Sequence, residues 1–539
     1  MHIVCFAPYT NWSIHSAREV TILQALRLRG CSVSYIACDA AYDVCDMTQK
    51  STGSKVGPGP QTCLACQSSV AARLAAWGMP YRWMGRWLQP GDAATVDAWI
   101  ATLTPSAFPA ATYDATADGR PDGEPWKIGA WARSSVHTYL RHQTLDLTDT
   151  AVQSAYVSNL RVGLLTAFAL SRLFAAERPT SQLLFNGRMA PTRVALELAK
   201  LRGIRTLVEE RGTVDTRITL FEDTHCFDLK GFDALWRQWR HTPLAAGEIA
   251  QLAKLLTDRW YGRSRDISAF SAGAEEKSAV FARLKLDPAR PLWVLYTSSL
   301  DETLDEEHGA AFPDQGAWIK ATLVELQRRP DVQLVIRVHP NAGSRRSLGR
   351  NPQDAALFAA LSGTLPDNVR LVPSDEETSS YTLAGAAQLG LVWHSTIGLE
   401  MAAAHRPVVN VGGGWLADCD AMFAAATADA YSSAVAAALS TSDADLERRT
   451  VQAWRFATVW FFRFTLPFPL VRQTAWFLGE PAYTDVAELA PGRDAAMDRI
   501  CATLMHGTPL FDDRAPAGGD ASAERAAILQ HARAFRGSA

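Results

Sequence analysis

Two short apolar runs, each broken abruptly by polar residues, restrict this chain to a small set of folds. Leu334-Val-Ile-Arg337-Val-His339-Pro340 and Leu391-Val-Trp-His394-Ser395-Thr396-Ile-Gly398-Leu-Glu400 both begin as strand-forming runs and end in side chains that make hydrogen bonds. Such runs suit parallel strands covered on both faces, and parallel sheets bind ligands beyond their carboxyl ends. In the second run Ser395 and Thr396 stand where a helix would start, Gly398 lets a ligand approach the backbone, and Glu400 lies one turn in. The free N–H groups of a helix start and the positive end of its dipole suit a phosphate.

With 539 residues, 48% of them hydrophobic and 20% charged, the chain is long enough for two or three domains, each with its own core. The formal net charge is −3 and no basic block stands out, so nucleic acid is not an expected partner. Met1-His-Ile-Val-Cys-Phe-Ala-Pro8 starts directly as a strand without the pattern of a signal peptide, and a cytoplasmic protein is expected, with contact at the inner membrane face as an added expectation. Ala457–Phe462 is far shorter than the roughly 20 residues of a membrane span, and Arg455 and Arg463 bracket it. The aromatic stripe of Trp454, Phe456, Trp460, Phe461, Phe464 and Phe468 reads as core, a membrane-surface helix being the other reading.

Nine cysteines, an odd number, argue against a disulfide framework. Cys38, Cys45, Cys63 and Cys66 form C-x6-C-x17-C-x2-C around a Gly/Pro/Ser-rich loop at Ser51–Gln61, a spacing that could hold a structural zinc. Reduced, partly buried thiols are the alternative. Asp418-Cys-Asp420 and Asp443-Ala-Asp445 end no strong strand, so no catalytic divalent metal and no catalytic cofactor is expected.

Strand His2–Ala7, a helix from about His15 to Arg29 and strand Val33–Ala37 read as an opening β-α-β unit. Helices at Ala71–Met84, Ala93–Leu103 and Ala151–Ala176 follow, then strand Gln182–Phe185, helix Thr192–Arg202 and strand Arg205–Val208. After the break at Asp287–Pro291 the alternation restarts: strand Leu292–Tyr296, helix Gln315–Arg328, strands Val332–Val338 and Val369–Leu371, helix Ser379–Ala387, strand Leu389–Val392, helix Thr396–Ala404 and strand Val408–Val411. The expected fold is α/β, two Rossmann-like domains facing a cleft with a C-terminal helical segment. The boundaries are 1–285 for a first Rossmann-like domain with the cysteine insert, 286–450 for a second, 451–507 for helices packing back, and 508–539 for a loose tail.

Candidate site residues fall at the strand ends. In the second domain these are Arg337, His339, Ser379, Ser380, Ser395, Thr396, Gly398 and Glu400, all candidates for ligand binding; Ser374 with Glu377 has capping-box spacing, and Gly412–Gly414 would keep side chains away from a ligand. In the first domain Asn186, Arg188 and Arg211 are candidates for an anion or an acceptor carboxylate. His15, Glu209 and Glu210 are candidates for acid–base chemistry; Glu210, a carboxylate with cationic neighbours, is preferred, and Glu209 competes with it, because adjacent side chains leave a strand on opposite faces and only one can face the site.

Ile336-Arg-Val-His-Pro340, Ser379-Ser-Tyr381, Trp393–Glu400 and Pro407-Val-Val409 resemble the bacterial capsule polysaccharide biosynthesis glycosyltransferases, related to the Kdo transferases of capsule assembly; Phe185–Arg188 and Glu210–Gly212 are similar in part. The resemblance implies a GT-B fold and metal-independent transfer from a CMP-, UDP- or GDP-linked sugar to a glycan or lipid-linked glycan acceptor. By the same resemblance His339, Ser395 and Thr396 would contact nucleotide phosphate and Glu400 the ribose. Glu210-Arg-Gly212 stands where the Kdo enzymes carry Glu-Asp-Gly, so the resemblance does not fix the donor. Other readings are a nucleotide-sugar 2-epimerase, a teichoic-type polyol-phosphate transferase, and a non-catalytic sugar-nucleotide sensor.

Overall fold

The structure is a computed structural model describing residues 1–46, 59–115, 124–214, 216–264, 273–299, 310–343, 351–416, 418–511 and 518–536. It divides into two compact units, the first built from Met1–Asp228 and Thr465–Asp512, the second from Leu229–Leu300, Glu306–Phe464 and Asp513–Ala539.

The first unit alternates β1 (His2–Ala7), α1 (Ser13–Leu28), β2 (Ser32–Ala37), α2 (Pro60–Ala76), β3 (Tyr81–Trp83), α3 (Ile128–Leu140), α4 (Thr150–Glu177), β4 (Ser181–Phe185), α5 (Ala190–Leu201), β5 (Arg205–Arg211) and β6 (Arg217–Glu222). Five strands lie parallel in the order β3-β2-β1-β4-β5, and β6 and a short strand Leu466–Pro467 close one edge antiparallel. This order reverses between β1 and β4, which opens a crevice at their carboxyl ends. Ile3, Cys5, Leu183 and Leu207 of the strands pack with Ile22, Leu23 and Leu26 of α1 in one apolar cluster. The 28-residue α4 is long and apolar enough to cross a membrane by length and composition, and 78% of its apolar window is buried within the protein.

The second unit contains α6 (Lys230–Trp239), α7 (Ala246–Trp260), β7 (Leu292–Tyr296), α8 (Gln315–Gln327), β8 (Gln333–Arg337), β9 (Val369–Val372), α9 (Ser380–Ala386), β10 (Leu389–Val392), α10 (Thr396–Ala403), β11 (Val408–Asn410), β12 (Phe423–Ala424), α11 (Asp443–Thr458) and α12 (Ala521–Arg536). All its strand pairings are parallel, in the order β12-β11-β10-β7-β8-β9. Counted by appearance this is 3-2-1-4-5-6, the doubly wound order, with its switch point between β7 and β10. The two Rossmann-like units expected from the sequence are therefore present.

Three boundaries differ from expectation. Helices α6 and α7 belong to the second unit, because Trp236 donates to the Asp418 carbonyl at 3.0 Å and Glu248 pairs with Arg463 at 2.6 Å. The segment 451–507 is only partly helical: beyond Phe464 it joins the first unit as Leu466–Pro467, a hairpin of Val471–Ala475 with Leu478–Pro481, and helix Ala495–His506. The expected loose tail carries α12, whose Ile528, Ala532 and Phe535 are buried at helical spacing. The aromatic stripe is core: Trp454, Phe456, Phe461, Phe464 and Phe468 are all buried.

Candidate functional site

In the second unit, the polar ends of β7, β8 and β10 converge on one cavity of about 70 Å³ lined by Thr297, His339, Ser380, Ser395, Thr396 and Glu400 among others. That is the room of about two water molecules, enough for one phosphoryl group. Three local features fit an anion. Ser395 is the N-cap of α10 yet spends no side-chain hydrogen bond on capping, which leaves its hydroxyl to the cavity. The His339 backbone N–H donates to Thr297 Oγ1 at 2.8 Å, and its Nδ1 accepts from the Asn341 N–H at 3.2 Å. A neutral ring held in that way carries its proton on Nε2. Across the switch point, the Ser298 hydroxyl donates to the Trp393 carbonyl and ties the two strand ends together.

Four other donor-side expectations change. Glu400 lines the cavity, but its Oε1 is held by Arg259 at 2.5 Å in a buried ion pair, so it does not stand free for a ribose. Arg337 gives its two terminal nitrogens to the carbonyls of Pro373 and Glu376, at 2.5 and 3.0 Å, and fastens the loop after β9. Ser379, rather than Ser374, caps the helix that follows, accepting from Thr382 N at 3.2 Å. Gly398 faces the sheet: a Cβ there would lie 2.7 Å from Val392 Cγ2 and 3.2 Å from Met422 Sδ, so close packing of α10 on β10 demands the glycine. Gly412 answers to close approach too, since a Cβ would sit 3.0 Å from the His394 ring.

In the first unit His15, in the first turn of α1, reaches Glu209 and Glu210 of β5. Its Nδ1 lies 2.7 Å from Glu209 Oε1 and its Nε2 4.0 Å from Glu210 Oε1. Both carboxylates, from adjacent residues of β5, thus meet one imidazole, where only one had been expected to face the site. Glu209 is fully buried and His15 nearly so, whereas the Glu210 side chain is 24% exposed. Burial pushes the Glu209 carboxyl well above its usual range, and the Arg18 guanidinium at 3.8 Å opposes this only in part. Asn186, in the left-handed conformation at φ +67°, donates from Nδ2 to Glu210 Oε2 at 2.9 Å, and the Arg211 N–H donates to Oε1 at 2.9 Å. Arg211 itself donates to the Trp476 carbonyl at 2.7 Å and stacks on Trp476, holding the hairpin turn. Arg188, which follows the turn at Asn186 and Gly187, lies buried against α3.

The four cysteines come together differently from the expectation. Cys38, Cys45, Cys63 and Cys66 all line a cavity of about 590 Å³, but among the described residues no group of three or more His, Cys, Asp or Glu side chains is placed to hold a metal ion. Cys63 and Cys66 are one turn apart on α2, while Cys38 and Cys45 come from the loop after β2. Burial pushes the Cys66 thiol up to about 11 and Cys38 up to about 12, so both are neutral thiols at pH 7. Most of the loop Ser51–Gln61 lies outside the described residues.

Sequence reading assigned no role to Arg18, Arg259 and Tyr296. Arg18 follows His15 by one helical turn, a spacing that puts both on one face of α1 and that could have been noticed. Arg259 and Glu400 are 141 residues apart, and no local pattern links them.

The chain matches no protein-family model and no curated protein. Similar solved structures include the Thermosulfurimonas dismutans KpsC beta Kdo 2,4 transferase, at 13% identity over 58% of this chain and 88% of that one, TM-score 0.36. They also include the spinosyn rhamnosyltransferase SpnG (13% identity, 87% and 97% covered, TM-score 0.28) and the UDP-GlcNAc 2-epimerase from Neisseria meningitidis bound to UDP-GlcNAc (11%, 84% and 94%, TM-score 0.24). The fold assignment itself stands on the strand order of the two sheets.

Proposed function

We propose that the protein is a glycosyltransferase that moves a sugar from a nucleotide-activated donor to a glycan or lipid-linked glycan acceptor in surface polysaccharide biosynthesis. The observation that carries this is the switch-point cavity of the second unit, where Thr297, His339, Ser395 and Thr396 from three separate strand ends surround a phosphoryl-sized space. Amides at the start of α10, the Ser395 hydroxyl and His339 Nε2 would stabilise the charge that gathers on the leaving nucleotide phosphate.

In the first unit Glu210 is the base: it is the one carboxylate of the pair with solvent contact, and Asn186 and the Arg211 amide hold both its oxygens in place. It accepts the proton of the acceptor hydroxyl, and His15, steadied by Glu209, faces the carboxylate that receives it. No step in this scheme requires a metal.

A thermal-shift screen of CMP, CDP, UDP and GDP tests the reading. A nucleotide at 100 times its dissociation constant stabilises by about 2.7 kcal/mol, and Thr396→Val should weaken the effective nucleotide at least tenfold. Absence of a shift with all four rejects the proposal. Sugar transfer is separated from epimerisation by whether free nucleotide accumulates only when an acceptor is present.

A further inference from the structure

Arg188 is one of several buried arginines of this protein, and its hydrogen-bond partners carry no charge. Arg259, 4% exposed, and Arg455, whose side chain is 12% exposed, each face a carboxylate, Glu400 and Glu524. Arg188 is 2% exposed and meets no carboxylate among the described residues. Its Nη1 donates to Ser134 Oγ at 2.7 Å and Thr138 Oγ1 at 2.9 Å, hydroxyls one turn apart on α3, and the Phe227 ring lies 5.0 Å from Cζ. Its Nε is buried without a partner. Nη2 has none either, yet it is not among the side-chain atoms sealed from solvent. A guanidinium cannot shed its proton, so this is a charge held in the protein interior without a counter-charge. The backbone is committed to holding it there: Asn186 and Gly187 take φ +67° and +68° in succession, and Asn186 Oδ1 accepts from the Arg188 N–H at 3.1 Å. The position is the switch point of the first sheet, beside Glu210 through their shared neighbour Asn186.

We propose that Arg188, with Ser134 and Thr138, is a subsite for a sugar carboxylate, so that the acceptor is an acidic glycan. This rests on the transferase reading for calling the ligand an acceptor, while the anion site itself does not. Nη2, the guanidinium nitrogen that is neither paired nor sealed, presents its N–H donors to an oxygen of a planar carboxylate. The two hydroxyls hold the opposite side and keep the fork from turning.

The test compares D-glucuronate with D-glucose and inorganic phosphate, at matched ionic strength, by thermal shift on the full chain and on Arg188→Met and Ser134→Ala. Glucuronate, and not glucose, should raise the melting temperature of the natural chain by 2 °C or more. Arg188→Met should lose at least tenfold in glucuronate affinity, and without ligand it should melt no lower than the natural chain, since it removes an uncompensated charge. Ser134→Ala, a milder change, should weaken glucuronate about threefold or more. The proposal is overturned if Arg188→Met melts several degrees lower and keeps its glucuronate response, if glucose acts as well as glucuronate, or if phosphate binds the site in preference to both. Nucleotide-induced shifts should survive in both variants; their loss in the natural chain would count against the transferase reading and not against this site.

Discussion

At the scale of single residues, the acid–base groups of the first unit are arranged in depth. Glu19, sealed under the site, accepts from Tyr35 Oη at 2.9 Å, and burial raises its carboxyl to about 7. Its linkage to folding has a definite sign. Below about pH 4.5 both the folded and the unfolded chain hold the proton; as pH rises toward 7 only the unfolded chain gives it up, so stability falls through that window and levels off above it. A shift of that size is worth about 3 kcal/mol. Glu19→Gln keeps an acceptor for Tyr35 and should therefore melt higher than the natural chain at pH 8 and flatten the decline between pH 5 and 7, measured by thermal melts across pH. Glu210→Gln has a different signature. It should lower kcat by about 10²-fold or more while leaving nucleotide-induced thermal shifts intact, and an unchanged kcat would remove Glu210 from the mechanism.

At the scale of elements, the start of α10 decides whether the second unit can hold a phosphate. The helix sits close on β10 because Gly398 has no side chain, and the same closeness sets where the Ser395 and Thr396 amides point. Gly398→Ala should cost about 1–3 kcal/mol through overpacking and weaken nucleotide binding without touching the ligand, as read by denaturant unfolding and titration. The strand–helix alternation around this element was legible because each strand has a short apolar centre and each break is polar: β7, β8 and β10 fall within a residue or two of their sequence-based bounds. Residue identity at the cavity was legible for the same reason, strand ends being where polar side chains emerge. What escaped were features set by distant partners. The short strand Leu466–Pro467 and the hairpin over α1 exist because they pair with remote segments, Leu466 with Ile218 and Gly479 N–H with Ser13 Oγ. The roles of Glu400 and Arg337 turned on buried partners, Arg259 and two loop carbonyls, which no spacing in the sequence announces.

At the scale of the whole molecule, the chain leaves each unit and returns to finish it. The first unit is completed by Thr465–Asp512, where Met497, Ile500 and Leu504 of helix Ala495–His506 enter its core. The second is completed by α12, and that helix does more than cover a surface. Glu524, 2% exposed, accepts from Arg455 at 2.5 and 2.9 Å and from the Leu244 N–H at 2.8 Å, so one carboxylate joins α11, α12 and the segment before α7. Phe535 packs against Trp260 of α7 with ring centroids 5.2 Å apart, and His531 stacks on Trp454 of α11 at 5.7 Å. Glu524→Ala leaves Arg455 as a buried, unpaired cation and should cost about 3–5 kcal/mol, whereas Glu524→Ala with Arg455→Met should recover part of that loss, as a double-mutant cycle in urea would report. Truncation after Leu510 removes all three contacts at once and should lower the melting of the second unit more than either single change. An unaltered melting curve in the truncated chain would mean that the terminal helix is a passenger, and that the core of the second unit closes without it.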